Sequence, residues 1–471
     1  MDFPKENRMS PDSALPLTVS RRLAQALVHA RPEAWPAARA TAERLLLDIS
    51  GICLAARTEP YVLAAQASVE QDGPCTVIGL GQTCGVEGAA FVNGIAAHGE
   101  DYDDTYEGGP VHAGVVIVPA LLAAAQRHQL SGADLLRGIA IGVEVMCRLC
   151  AVAPTKVHKA GFHPTAVFGV MGAVAGVGAA LRLNEDELVN AFGLAGSMAS
   201  GIIEYLADGS WTKRMHPGWA AQSGYRAVRL AQAGFKGPAT VFEGTHGFFH
   251  GFANLKDSRD GDFEAMLHGF GSEWIWTTIA FKPYACGTMA HPYIDCAREL
   301  RRQGLDLTQI ERIDCNTAEG IVHRLWEPLA LKQSPPNAYA AKFSIPYAIA
   351  AGLLLDNAGL GEYTEAQVQR ADLRALAAKV HYVVDPTNPY PQQFIGHVRI
   401  MLKDGSMMEA RQGYFKGGAE HPLSDADLDT KFFANCAHGG IAPAQAQSVH
   451  RWVKQVFDAP LADAALLSAH A

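Results

Sequence analysis

Residues 93–112 read Asn93-Gly-Ile-Ala-Ala-His98-Gly-Glu100-Asp101-Tyr-Asp103-Asp104-Thr105-Tyr-Glu-Gly-Gly-Pro-Val-His112. An apolar helical pattern runs in from Val86 to Ala97, and another runs out from Val115 to Ala125. The stretch is therefore the polar corner of a helix–loop–helix unit whose two arms want burial. Glu100, Asp101, Asp103 and Asp104 gather there with the Thr105 hydroxyl and two imidazoles, His98 and His112. A loop that carries such groups on a rigid scaffold is a natural place for chemistry. A solvated acidic loop has the same local composition, so the rest of the chain has to decide.

Working outward, helical periodicity dominates the first half. Pro36–Arg57, Val115–His128 and Ala133–Val152 read as helices, with Ser131 as the N-cap of the last. His163–Leu181 is dense in Gly and Ala, which weakens a helix but permits very close packing. Asn184 caps the next helix, and Pro217–Ala233 reads as another. The period then changes. Trp274–Phe281, Ile310–Asn316 and Val380–Val384 alternate as strands, and Asp404-Gly405 marks a hairpin between Phe394–Leu402 and Ser406–Arg411. Helices return from Ser424. The expected fold is mainly α: a large all-helical domain made of residues 1–272 and 416–471, and a smaller α+β lid domain at 273–415.

The bulk numbers narrow the function. Of 471 residues 49% are hydrophobic and 18% charged, which implies a large core or a large subunit interface. A formal net charge of −9 argues against a nucleic-acid partner. No run of about eighteen apolar residues signals a membrane span, and the polar segment Met1–Arg8 does not resemble a secretory signal. Nine scattered cysteines fit reduced thiols in a cytoplasmic protein, and Cys147-Arg-Leu-Cys150 reads as helix packing.

Three His-Pro pairs, at His163, His216 and His291, read as helix starts. Each puts an imidazole near free N–H groups that favour a carboxylate. Lys213 and Lys282 precede helix starts, where an ammonium can clamp a carboxylate or an enolate-like charge. No nucleotide or metalloprotease fingerprint is present. His98 with Asp101, Asp103 and Asp104 could bind a hard divalent ion, so a metal-dependent hydrolase is the rival reading.

The segments His98-Gly-Glu-Asp101-Tyr-Asp-Asp-Thr105, His112-Ala-Gly, Gly161-Phe-His163-Pro-Thr, Thr212-Lys213-Arg-Met-His216-Pro-Gly218, Phe281-Lys282-Pro-Tyr-Ala-Cys286 and Lys342-Phe-Ser-Ile-Pro-Tyr347 resemble, in order, the blocks of the MmgE/PrpD family. The resemblance covers roughly residues 20 to 460. It implies a cofactor-independent enzyme with no metal, a homodimer, acting beside the carboxylates of a di- or tricarboxylic acid. Family activities include 2-methylcitrate dehydration, cis-aconitate decarboxylation and iminodisuccinate epimerisation. Ala113 stands where a proline is often found, and two further positions depart from the family pattern. Gly287 stands where the decarboxylase branch carries a histidine, and Glu100 stands where a hydrophobic residue is usual.

These readings converge on a hydro-lyase that eliminates water from a 2-methylcitrate-like hydroxy acid. Epimerisation of an imino- or amino-dicarboxylate and decarboxylation of an unsaturated tricarboxylate are the alternatives. His112 and His163 are assigned as the acid/base pair, with Asp101 orienting His112. Lys213 stabilises developing charge and Tyr347 bonds or protonates. Thr105, Lys282, His216 and Cys286 are the expected substrate-binding residues.

Overall fold

The computed structural model describes residues 17–257 and 260–468, so the polar segment Met1–Arg8 lies outside the described residues. Helix α1 (Pro36–Ala56) lies behind the corner, α2 (Val86–His98) leads into the acidic loop, and α3 (Gly114–His128) leads out of it. Helices α4 (Gly132–Val152), α5 (Pro164–Ala180), α6 (Glu185–Met198) and α7 (Thr212–Gln232) pack around them. Both expected caps are present. The Ser131 hydroxyl accepts from the Asp134 N–H, and Asn184 forms a capping box with Glu187. Cys147 and Cys150 are buried in α4 with free thiols.

The glycines explain how tightly the helices cross. A β-carbon on Gly172 of α5 would lie 2.9 Å from the Gly142 carbonyl oxygen of α4. Helices α2 and α7 come closer still: a β-carbon on Gly94 would lie 2.6 Å from the Gly218 Cα, and one on Gly218 would overlap the Phe91 carbonyl. This crossing sets the first turns of α7, with Lys213 and His216, against the end of α2 where the acidic loop begins.

Cys75–Thr76 (β1) and Thr83–Cys84 (β2) form a two-stranded ribbon. The larger sheet has the order β4-β3-β5-β6, built from β3 (Ile310–Thr317), β4 (Val380–Val384), β5 (Gly396–Leu402) and β6 (Met407–Gln412). Only the β3–β4 pair is parallel. Helix α8 (His291–Arg302) packs on β5 and β6, with α9 (Ile345–Leu355) beside it. Helices α10 (Asp425–His438) and α11 (Pro443–Gln455) close the chain, α10 lying along α1. Buried apolar side chains form two clusters. One draws on Val19 to Phe281 and Leu423 to Leu467, the other mainly on Tyr284 to Ala410 with Ile52, Ala55 and Tyr102.

Two local expectations are corrected. Trp274–Phe281 is not a strand: Ile275–Thr278 forms a 3₁₀ turn, and Ala280 makes only an isolated bridge to Thr105. The reason is a side chain. Buried Glu144 accepts the N–H groups of Ile275 (3.4 Å) and Trp276 (3.0 Å), taking the place of a neighbouring strand. His216-Pro217 is not a helix start either, because α7 begins at Thr212 and carries Pro217 inside it.

The α2–α7 crossing leaves no room for a methyl group. Gly218→Ala is expected to cost about 1–3 kcal/mol of stability through overpacking, read as a lower urea midpoint. Gly251→Ala, where a β-carbon meets nothing within 4 Å, is the control and should unfold as the wild type does.

Candidate active site

The acidic loop turns at Asp101, whose φ of 54° lies in the left-handed region. Such a backbone costs energy and persists only when neighbours hold it. Three buried lysines do so. Lys342 Nζ donates to the Glu100 carbonyl (2.7 Å), Lys282 Nζ to the Asp101 carbonyl (2.9 Å) and Lys431 Nζ to the Tyr102 carbonyl (2.8 Å). Each also faces a carboxylate: Glu100 at 2.5 Å, Asp101 at 3.2 Å and Asp48 at 2.6 Å respectively. Lys213, from the first turn of α7, reaches the same Asp101 oxygen at 3.1 Å. Burial pushes the Asp101 carboxyl up, and Lys213 and Lys282 more than reverse this, holding it well below the usual carboxylate range. Burial also works against the Lys213 ammonium, but Asp101 overrides it and raises its pKa.

Behind the lysines lie four imidazoles. Asp103 Oδ2 receives His98 Nδ1 (3.1 Å) and His112 Nδ1 (3.0 Å). His112 Nδ1 is also 2.7 Å from the Asp104 carbonyl oxygen, which can only accept. That nitrogen therefore carries the proton, and the lone pair of His112 is on Nε2. The Asp104 carboxylate receives the Ala113 and Gly114 N–H groups at the start of α3, with distances of 3.0–3.1 Å, and so fixes the corner. His163 and His216 share a hydrogen bond between their Nδ1 atoms (3.1 Å), with the Tyr205 ring edge-on to both. The His98 and His163 rings stack at 5.6 Å and link the two pairs. Burial lowers His98 and His216 to about 4 and His163 well below its ordinary value. At neutral pH these three imidazoles are uncharged.

The structure thus brings together Asp101, His112, His163, His216, Lys213 and Lys282. One role changes: Asp103, not Asp101, orients His112, because the turn at Asp101 sends its carboxylate to the two lysines. Thr105 sits at the loop exit, paired through its backbone with Ala280 at 2.9 and 2.7 Å. Cys286 is buried near Lys282, its thiol pushed up to about 12 by burial. Tyr347 stands apart: its hydroxyl donates to the Glu362 carbonyl (2.6 Å) and its ring packs on Tyr363. The site residues to which motif reading gave no such role are His98 and Asp103, read in the sequence only as candidate ligands of an ion, and Tyr205. The first two lie inside the opening stretch, whereas nothing near Tyr205 in the sequence signals a site.

His98, Asp103 and His112 lie close enough to suggest a metal site, with candidate ligand atoms within 4.8 Å of one another. Without an ion the group is held together by hydrogen bonds: His112 Nδ1 is protonated, as its contact with the Asp104 carbonyl requires, which leaves Nε2 as the one His112 nitrogen that could serve as a ligand.

Two family models match the chain. Residues 21–260 match the MmgE/PrpD N-terminal domain and residues 284–458 the MmgE/PrpD C-terminal domain. Similar curated proteins include the cis-aconitate decarboxylase of Mus musculus, 30% identical over 74% of this chain and 71% of that protein. The Homo sapiens enzyme of the same name is 29% identical over 84% and 82%. That of Aspergillus terreus (strain NIH 2624 / FGSC A1156) is 28% identical over 74% of each. No helix among the described residues is long and apolar enough to cross a membrane.

The neutral imidazoles make stability depend on acid. In the unfolded chain a histidine takes its proton near pH 6.5, whereas folded His98 does so only near 4. The unfolded state binds more protons in between, so stability is fully present above pH 6.5 and is lost as pH falls toward 4. His98→Gln should flatten this loss in a series of thermal melts; a variant as acid-sensitive as the wild type would contradict it.

Proposed function

We propose, on the premise that this chain belongs to the MmgE/PrpD family, that it is a lyase removing water beside a carboxylate of a di- or tricarboxylic hydroxy acid. The observation that carries this is the convergence of Lys213 and Lys282 on one Asp101 oxygen next to imidazoles held neutral. Elimination beside a carboxylate puts negative charge on the α-carbon and its carboxylate, so it needs a base and fixed cations. His112 Nε2, with its lone pair, is the base. As it takes the α-proton, Asp103 stabilises the imidazolium. Lys213 and Lys282 hold the enediolate. As the C–O bond breaks, the hydroxyl leaves as water with a proton from the His163–His216 pair. The carboxylates of a bound substrate raise the proton affinity of that pair, which makes it an acid only when the site is filled. Thr105 and Cys286 border the substrate. Residues 273–415 form a lid that carries Lys282, and the working unit is a cytoplasmic homodimer.

Decarboxylation is the second reading, favoured by the names of the similar proteins. The same lysines would hold the charge left by loss of CO₂, and a protonated imidazole would quench it. Elimination asks the site for a base as well as an acid, and His112 Nε2 is available as one. Gly287, where the decarboxylase branch of the family has histidine, also supports elimination.

An NMR panel of hydroxy-, unsaturated and imino-polycarboxylates in deuterated water separates the readings. Elimination predicts loss of the hydroxy acid with matching growth of vinylic signals. Loss of CO₂ from cis-aconitate would favour decarboxylation, and deuterium exchange alone would favour epimerisation. On the substrate so identified, Lys213→Ala should bind within a few-fold of wild type and lose roughly 10²–10³ in kcat. Lys282→Ala should act mainly on KM. Near-wild-type kcat in Lys213→Ala would remove that lysine from the mechanism.

A further inference from the structure

Arg214 follows the catalytic lysine in the first turn of α7, and none of the roles above uses it. Its guanidinium lies between two aromatic faces, 4.3 Å from the Tyr61 ring centroid and 4.5 Å from that of Tyr339. Stacking of this kind holds an arginine rigidly while leaving the edge of the guanidinium plane free. Among the described residues no hydrogen bond or ion pair is made by that edge, although it carries five N–H donors. A half-buried arginine held in place with unused donors is preorganised for an anion.

The two rings also say where this anion sits. The Tyr61 hydroxyl donates to Glu100 Oε1 (2.9 Å), one residue from Asp101. The Tyr339 ring packs edge-on against Phe343 (5.5 Å), and the Lys213 ammonium lies 5.8 Å from the Phe343 ring centre. Tyr339 and Phe343 thus link the guanidinium to the Lys213 ammonium through ring contacts. Two carboxylates flank this position. Glu100 is neutralised by Lys342 at 2.5 Å. Glu59 lies beside it, its carboxyl pushed up by burial and by the charge of Glu100. Neither lies within ion-pair distance of Arg214, although the guanidinium charge lowers the proton affinity of both.

We infer that Arg214 is the receptor for a substrate carboxylate remote from the reacting carbon, gripping it bidentately along the free edge of the guanidinium. This rests on the polycarboxylate reading and names the part of the site that separates a tricarboxylate from a dicarboxylate. Lys213 and Lys282 hold the carboxylate next to the reacting carbon, and Arg214 holds a distal one. Tyr61 comes from the helix Pro60–Ala67 of the first apolar cluster, and Tyr339 from the short helix Ala338–Ala341 beside the second. The arginine is thus fixed only where the two parts of the chain meet, so distal binding and closure of the site are coupled.

Calorimetric titration of the full-length protein with two unreactive probes, tricarballylate and glutarate, tests this without reference to turnover. Wild type should bind tricarballylate more tightly. Arg214→Gln should weaken tricarballylate roughly 10- to 100-fold, the scale of a lost charge-assisted pair, and glutarate less than about twofold. Arg214→Lys, which keeps the charge and loses the fork, should recover only part of that loss and serves if the Gln variant melts early. Equal weakening of both probes, no weakening, or a Lys variant equal to wild type would overturn the inference and leave the polycarboxylate reading standing. Binding of neither probe by wild type would overturn both.

Discussion

Three consecutive carbonyl oxygens, those of Glu100, Asp101 and Tyr102, are each held by a different buried lysine, and the site depends on that. The lysines come from distant parts of the chain: Lys282 before α8, Lys342 before α9, and Lys431 in α10. An ammonium buried without a partner is costly, and each of these has a carboxylate as well as a carbonyl. Losing one partner of such a pair typically costs 3–5 kcal/mol, because the other charge stays buried. The clamp therefore does two things at once. It holds Asp101 in a backbone conformation that an L-residue avoids, and it aims the Asp101 carboxylate at Lys213 and Lys282.

Charge is divided cleanly within the site. Lys213 remains cationic because Asp101 faces it, while His98, His163 and His216 remain neutral because they are buried among one another. Fixed cations and neutral bases side by side suit reactions that create a carbanion next to a carboxylate. Asp103 adds direction. By receiving both His98 and His112 through Nδ1 it leaves their Nε2 atoms as the proton acceptors.

Much of this was legible in the sequence, for reasons that differ by residue. The helix–loop–helix corner was written in the apolar periods on either side of residues 98–112, and Ser131 and Asn184 marked helix starts by short-range chemistry. Lys213, Lys282, His112 and His163 stood out by their neighbours. The pairing inside the acidic loop was not legible. Which of Asp101 and Asp103 meets His112 depends on a single left-handed turn, and that turn is imposed by lysines up to 329 residues away. Trp274–Phe281 alternates like a strand, yet two of its amides, those of Ile275 and Trp276, are satisfied by the Glu144 side chain, a contact across 131 and 132 positions that no local pattern encodes. His216-Pro217 has the look of a helix start, but α7 already begins at Thr212, and its Pro217 lies near enough to that end to be carried within the helix. Arg214 shows the same limit, since its two aromatic partners lie at positions 61 and 339.

The most direct test of the clamp uses a lysine to which no step of the reaction is assigned. Lys431 and Asp48 form a buried pair tied to the loop by the hydrogen bond to the Tyr102 carbonyl and by the ammonium lying 3.9 Å from the Tyr102 ring centre. Replacing both with apolar residues, as in the Asp48→Leu/Lys431→Met double variant, avoids stranding a charge and can preserve stability. The measurement is kcat of that variant on the substrate the enzyme turns over, with its thermal midpoint as a control for folding. The account predicts a folded protein with kcat lowered about tenfold or more, as a loosened Asp101 lets its lysines drift out of register. A folded double variant with the kcat of wild type would contradict it.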